Sequence, residues 1–315
     1  MSNNHSLNQR NLSWPLALIS NILIALGFFF MANWIGGVFM YLSLGRMPVE
    51  ADFVSTGQAA LQFRNAELMG QLGGAIGGLI VLPLLYVFFL KKELIQPIFK
   101  PSFDQFPSFL LAAVSVTIII LPFVGIVGDW NKEISFPDSW HDLETTLRML
   151  EERAAQATKL IVYYDSPGDM LLVLFTVALV PAVSEELVFR GILLNDLVRS
   201  TRNVHISVLV SAFIFSFIHF QFFGFFPRML LGIVLGYLYI TSGNILVSMA
   251  MHFANNAMVV IALNWYSKGA LTIDPESSRD LPVTSIYLSV ILSLAIMYFC
   301  WTLYKQRTNA VQKNV

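Results

Sequence analysis

Two adjacent acids and a base four residues on, Glu185, Glu186 and Arg190, stand inside a long apolar stretch. Glu186 and Arg190 are i and i+4 on one helical face, acid before base, so an ion pair is geometrically natural. Glu185 is turned about 100° away and has no such partner, which leaves it free to react. Pro181 removes the backbone donor for the carbonyl of Val177 and loosens the helix one turn earlier, where water can enter. Two further stretches offer matching groups. His219 closes the run SAFIFSFIH, and His252 and Asn256 lie on one face of GNILVSMAMHFANNA. A lone histidine in a core needs no functional account. Three helices that each place an ionisable or amide group at one depth do, because each group needs its own remedy for desolvation. Glu185, His219, His252 and Asn256 are therefore expected to meet in one interior pocket.

The elements that must position these residues belong to a membrane. Of the 315 residues 56% are hydrophobic and 12% charged, where a soluble domain carries about a quarter charged. The mean hydropathy is +0.66. A formal net charge of -1 gives nucleic acid no basic surface to read, so no nucleic-acid partner is expected. The single cysteine, Cys300, forms no internal disulfide, and any metal would have to use His, Asp or Glu. Runs of about 20 apolar residues predict an all-α, polytopic membrane bundle of about eight spans, near 15–44, 68–90, 107–128, 170–198, 204–222, 225–241, 244–265 and 283–304. The sixth is short enough to be buried among its neighbours. Residues 1–14 lack a small-residue cleavage site before the first apolar run, so the first helix is expected to be retained. Counting from Leu171, Glu185 lies about 21 Å along its helix axis, near mid-membrane. An ionisable group there costs about 3 to 10 kcal/mol unless paired or wet.

Orientation rests on Lys and Arg in the short connections. One side holds Arg10, Lys91, Lys92, Lys100, Arg199, Arg202, Lys305, Arg307 and Lys313. The other holds Arg46, Arg64, Lys132, Arg148, Arg153, Lys159, Arg228, Lys268 and Arg279. The second set is spread over longer connections and mixed with acids, so both termini are expected in the cytoplasm, in a cell (inner) membrane. In the connection 129–169, Leu143, Leu147, Leu150, Ala154, Ala157 and Ile161 recur at three- and four-residue steps. They predict an amphipathic helix covering the outer end of the bundle, with a substrate gate as the alternative. Gly70, Gly74 and Gly78, and Gly232 and Gly236, predict close helix contacts.

The polar residues also form a set. Glu185-Glu186-x-x-x-Arg190, Phe215-x-x-x-His219 and His252-x-x-x-Asn256, in that order, with Gly232-x-x-x-Gly236 and Thr241-Ser242-Gly243-Asn244 before the last, resemble the signature of the CAAX prenyl endopeptidase and bacteriocin-processing (Abi) family of intramembrane proteases. The resemblance covers about 170–262. It implies an endopeptidase that hydrolyses a peptide bond of a membrane-associated protein or peptide, with the lipid bilayer as its other partner. Glu185 would activate water, His219 would help to position it, and His252 and Asn256 would polarise the scissile carbonyl, with Glu186 and Arg190 orienting the site. A competing mechanism has Glu185, His219 and His252 hold a divalent metal such as Zn²⁺. The division expected is 1–168 for N-terminal spans and the amphipathic helix, 169–265 for the protease core, and 266–315 for the last span and tail.

Other intramembrane protease chemistries fit worse. A rhomboid Gly-x-Ser-Gly is missing, since Ile240-Thr241 precede Ser242-Gly243. Tyr164-Asp165 and Gly128-Asp129 match an aspartyl pair only in part and lie at span ends. His-Glu-x-x-His is absent. The reading from another class is a non-catalytic transporter, scaffold or immunity-type protein whose buried charges bind an ion or a partner.

Overall fold

The computed structural model describes residues 14–91, 105–275 and 277–313, and among these every regular element is a helix. In chain order the main ones are α1 (Trp14–Leu44), α2 (Gly57–Leu90), α3 (Phe106–Lys132), α4 (His141–Val162), α5 (Pro167–Thr201), α6 (Val204–Phe217), α7 (Phe225–Ser242), α8 (Ile245–Ser267) and α9 (Val283–Lys313). Among the described residues seven helices, all but α4 and α6, are long and apolar enough to cross a membrane. The chain is a multi-pass membrane protein. The eighth expected span, near 204–222, is α6, a helix of 14 residues. At about 1.5 Å per residue it falls short of a bilayer core about 30 Å thick. It stops early because Phe220 adopts a left-handed backbone (φ 54), a conformation costly for a bulky side chain.

The small-residue stripes do what their spacing predicts. A Cβ placed on Gly74 would lie 2.6 Å from the carbonyl oxygen of Ala32, and one on Gly78 would lie 2.3 Å from the Cα of Ala32. α1 and α2 thus touch backbone to backbone. Gly232 and Gly236 admit Ala212 and Val208 of α6 in the same way, at 3.1 and 3.0 Å. α5 runs between these layers. Val188, Phe189, Leu193 and Leu197 of α5 pack with Ala25 and Ala32 of α1 and with Ile214 and Phe215 of α6. Phe109 and Val116 of α3, Leu238 of α7, Met251 of α8 and Cys300 of α9 form a second core.

Two features differ from the sequence reading. α2 begins at Gly57, not near 68, because buried Arg64 finds Asp169 at the head of α5 at 2.8 Å and no longer needs a loop. Arg228 lies in the first turn of α7. Both belong to the second of the two sets of nine counted for orientation. Arg10, Lys92 and Lys100 of that count, and the expected retained start before residue 14, lie outside the described residues. α4 covers the bundle end, but its apolar residues are buried only at its C-terminal end. Ile161 and Val162 are buried, while Leu143 and Leu150 remain exposed.

The connection between α1 and α2 is held outside the membrane by Arg46, whose Nη1 and Nη2 donate to Asp52 at 2.8 and 2.6 Å, while the Val49 N–H donates at 2.8 Å. Hydrogen bonding to Arg46 holds the Asp52 carboxyl down at about 2. A depressed carboxyl contributes stability above its ordinary value, and that contribution fades as pH falls through the folded one. Asp52→Asn is accordingly expected to lower the melting temperature at pH 7, with the gap from the parent closing as pH approaches 2. Gly78→Val should force α1 from α2 and cost about 1–3 kcal/mol, seen as earlier melting in detergent micelles. Gly37→Val, with nothing within 4 Å, should not.

Candidate active site

α5, which carries both glutamates, is an interrupted helix. Leu174–Leu179 and Leu187–Leu194 are wound wider, with each N–H reaching five residues back. Such turns are uncommon and cluster at functional positions. The first precedes Pro181, whose missing N–H cannot serve the Val177 carbonyl. Asn256 of α8 points its Nδ2 at that same carbonyl from 3.5 Å, a weak, long contact. At the other end, Asn195 caps the second wide stretch. Its Nδ2 donates to the carbonyls of Arg190 and Gly191, each at 2.9 Å, and to the Tyr239 hydroxyl at 2.8 Å.

Glu186 and Arg190 form the expected pair. The Nη1–Oε1 distance is 2.7 Å, and the side chains are 0% and 1% exposed. Arg190 also donates through Nη2 to the carbonyl of Gly232, 2.8 Å away. That contact requires α7 to come close, which the glycine permits. The same Glu186 oxygen meets His252 Nδ1 at 2.9 Å. A carboxylate only accepts, so Nδ1 carries the proton and Nε2 presents a lone pair. That lone pair faces Glu185 Oε2 at 3.8 Å. Two acceptors at this separation do not bond each other, but one water about 2.8 Å from each can donate a hydrogen to both.

His252 is brought to this point by the turn before it. Gly243 ends α7 in the left-handed conformation (φ 65), and the Asn244 side chain accepts from the Leu246 N–H at 2.9 Å to start α8. The Thr241-Ser242-Gly243-Asn244 stretch is thus a C-cap followed by an N-cap.

His219 comes just after α6. Its Nδ1 donates to the carbonyl of Phe215 at 2.8 Å, which leaves Nε2 as an acceptor. Both imidazoles meet the Phe215 ring, His219 at 5.4 Å and 67°, His252 at 5.9 Å and 83°. The Arg190 guanidinium carbon lies 5.1 Å from the centre of that ring. One aromatic ring therefore sets both histidines against the ion pair. The polar contact made by Glu185 is with His252, and His219 instead lies within electrostatic range of His252 and Arg228. Among the described residues no three His, Cys, Asp or Glu side chains are grouped to hold a metal ion.

Residues 167–258 match the family model of the type II CAAX prenyl endopeptidase Rce1-like proteins. This segment is similar to the Rce1-like family. The match takes in less than a third of the chain yet holds every residue of the cluster from Glu185 to Asn256. No curated protein and no solved structure matches the chain. Outside the matched residues, α1 and α2 border an apolar groove of about 500 Å³ lined by Ile24, Phe28, Tyr86 and Phe89.

Sequence reasoning missed what surrounds the cluster. Arg228, counted as a loop charge, lies within electrostatic range of Glu185 and His219. Its signal was available, since it is the one formally charged residue between Asn203 and Tyr266. The Gly232 carbonyl and the Asn195–Tyr239 pair had no such signal. The energetic weight of the ion pair is directly testable. Arg190→Met strands a desolvated Glu186 and should cost about 3–5 kcal/mol, measured as lost melting temperature and lost folded yield. The double variant Glu186→Leu with Arg190→Met should recover much of that stability.

Proposed function

We propose that the protein is an intramembrane endopeptidase that hydrolyses a peptide bond of a membrane-associated protein or peptide, using a water held between Glu185 and His252. The observation that carries this reading is the pair of acceptors, Glu185 Oε2 and His252 Nε2, 3.8 Å apart inside the segment similar to the Rce1-like family. A water donating to both directs its oxygen lone pairs outward, toward a carbonyl entering beside Asn256. As the oxygen attacks, Glu185 accepts the proton, and the same proton later passes to the leaving amine. The substrate carbonyl oxygen gains negative charge in this step. Asn256 Nδ2 is available to donate to it, because its contact with the Val177 carbonyl is long and easily exchanged.

Glu186 holds Arg190 and His252 through Oε1 and takes no proton in this scheme. Its work is to hold the His252 tautomer that leaves Nε2 as an acceptor. His219, fixed through Nδ1, offers Nε2 to a water or to a substrate N–H. The scheme runs without a metal. In this reading the bilayer supplies the substrate laterally, and both termini lie in the cytoplasm of a cell whose inner membrane holds the protein, which the concentration of nine of the eighteen counted Lys and Arg in the shorter, less acidic connections supports.

Glu185→Gln should insert and melt normally but lose roughly 10²- to 10⁴-fold in cleavage of membrane peptides, read by mass spectrometry of fragments from membranes with and without the protein. Undiminished cleavage in that variant would end the proposal. Strong chelators should leave the purified enzyme's rate unchanged. A rate that vanishes with chelator and returns with Zn²⁺ would replace the scheme by a metal-dependent one.

A further inference from the structure

The segment between α6 and α7, with one short helical turn at Phe222–Gly224, follows a helix too short to span and meets the last turn of α3 and helix α4. Its irregular backbone leaves polar groups that other side chains must satisfy. Asn131 of α3 does so twice, donating to the Phe222 carbonyl at 3.1 Å and accepting from the Phe226 N–H at 2.9 Å. Ser216 donates to the Phe225 carbonyl at 2.6 Å, and Glu151 of α4 accepts from the Phe223 N–H at 3.3 Å. With its backbone so secured, the segment can present side chains.

Beside it, in the first turn of α7, one side chain stands out by charge. Arg228 donates through Nη2 to the neutral Gln221 side chain at 2.5 Å, while its Nη1 is buried and has no partner. Arg64 and Arg190, which are buried, each have a carboxylate within 2.8 Å, whereas Arg228 is half-buried and has none that close. Glu151 also lies within electrostatic range of Arg228, and the two flank Gly224. A Cβ there would lie 3.2 Å from Arg228 Nη2 and 3.5 Å from Glu151 Oε1. Glu185 and His219 both fall within the electrostatic range of the guanidinium. A desolvated donor left open beside a reactive carboxylate calls for an anionic acceptor from outside the chain. The planar fork of arginine matches a carboxylate, and carboxylates are the anions a peptide carries.

We infer that Arg228 is a binding residue for a carboxylate of the peptide substrate, held beside the water between Glu185 and His252. The inference rests on the proposed peptidase reading for its substrate class and goes beyond it by naming the group recognised. The carboxylate has two sources, a chain end or an acidic side chain. Either would place the substrate anion on Arg228 and the scissile carbonyl toward Asn256.

The test is direct binding to the full-length protein in detergent micelles, which does not depend on cleavage. The probes are one N-acylated apolar hexapeptide in three forms: a free C-terminus, a C-terminal amide, and that amide with one internal Glu. The wild type should bind a carboxylate form roughly 10- to 100-fold tighter than the plain amide. Preference for the free C-terminus identifies the chain end, and preference for the Glu form identifies the side chain. Arg228→Gln should bring the ratio close to one, and Arg228→Lys should keep part of it. Because each ratio is taken within one protein, a loss of folded material cancels. Equal affinities for all three forms on the wild type, no binding of any form, or a ratio unchanged in Arg228→Gln would overturn the inference. Cleavage that depends on Glu185 together with any of these results leaves the peptidase reading standing and removes only the role of Arg228.

Discussion

One carboxylate oxygen organises the polar interior. Glu186 Oε1 receives Arg190 from its own helix and His252 from α8, so a single desolvated acid ties two helices together and, through the Arg190 contact with Gly232, draws in a third. An isolated charge at this depth would not be tolerated, and removing either partner leaves the other group buried without compensation. The helices carrying these three residues are therefore fixed in rotation as well as in position. That rotational lock sets the direction of every other side chain in the cluster.

The lock also separates the two neighbouring acids. Successive residues on a helix differ by about 100°, so a face that buries Glu186 against Arg190 turns Glu185 toward α8 and the open side. Glu186 fixes the proton on His252 Nδ1, and Glu185 meets the opposite edge of the same ring. The imidazole thus bridges a permanently paired carboxylate and an unpaired one. Adjacent placement of two glutamates, wasteful in an apolar helix if both were structural, follows from this division.

Much of this was legible because membrane burial makes polar residues conspicuous. The i, i+4 spacing of Glu186 and Arg190, the shared face of His252 and Asn256, and the glycine stripes each map to a contact in the structure. What escaped was set by backbone shape. Nothing in the apolar run after Val204 says that α6 ends at Phe217, because its composition would support a longer helix and a left-handed Phe220 decides otherwise. Without that early stop His219 reads as an inward-facing helical residue rather than one hydrogen-bonded to its own helix end. Arg64 and Arg228 were misplaced for the same reason. A charge in sequence looks like a loop until a partner, Asp169 or Gln221, shows how it is accommodated.

The broken helix explains why the cluster can be both rigid and reactive. Pro181 and the wide turns on either side of it leave carbonyls of α5 without their usual donors, and side chains from other positions answer them. Asn195 does so firmly, with two contacts at 2.9 Å, on the side of the ion pair, where no movement is wanted. Asn256 does so loosely, at 3.5 Å, on the side of Glu185. A weakly held amide donor can leave the Val177 carbonyl for a more negative oxygen at little cost, whereas a strongly held one could not. The same backbone defect, answered tightly at one end and slackly at the other, yields a fixed ion pair next to a donor that is still available.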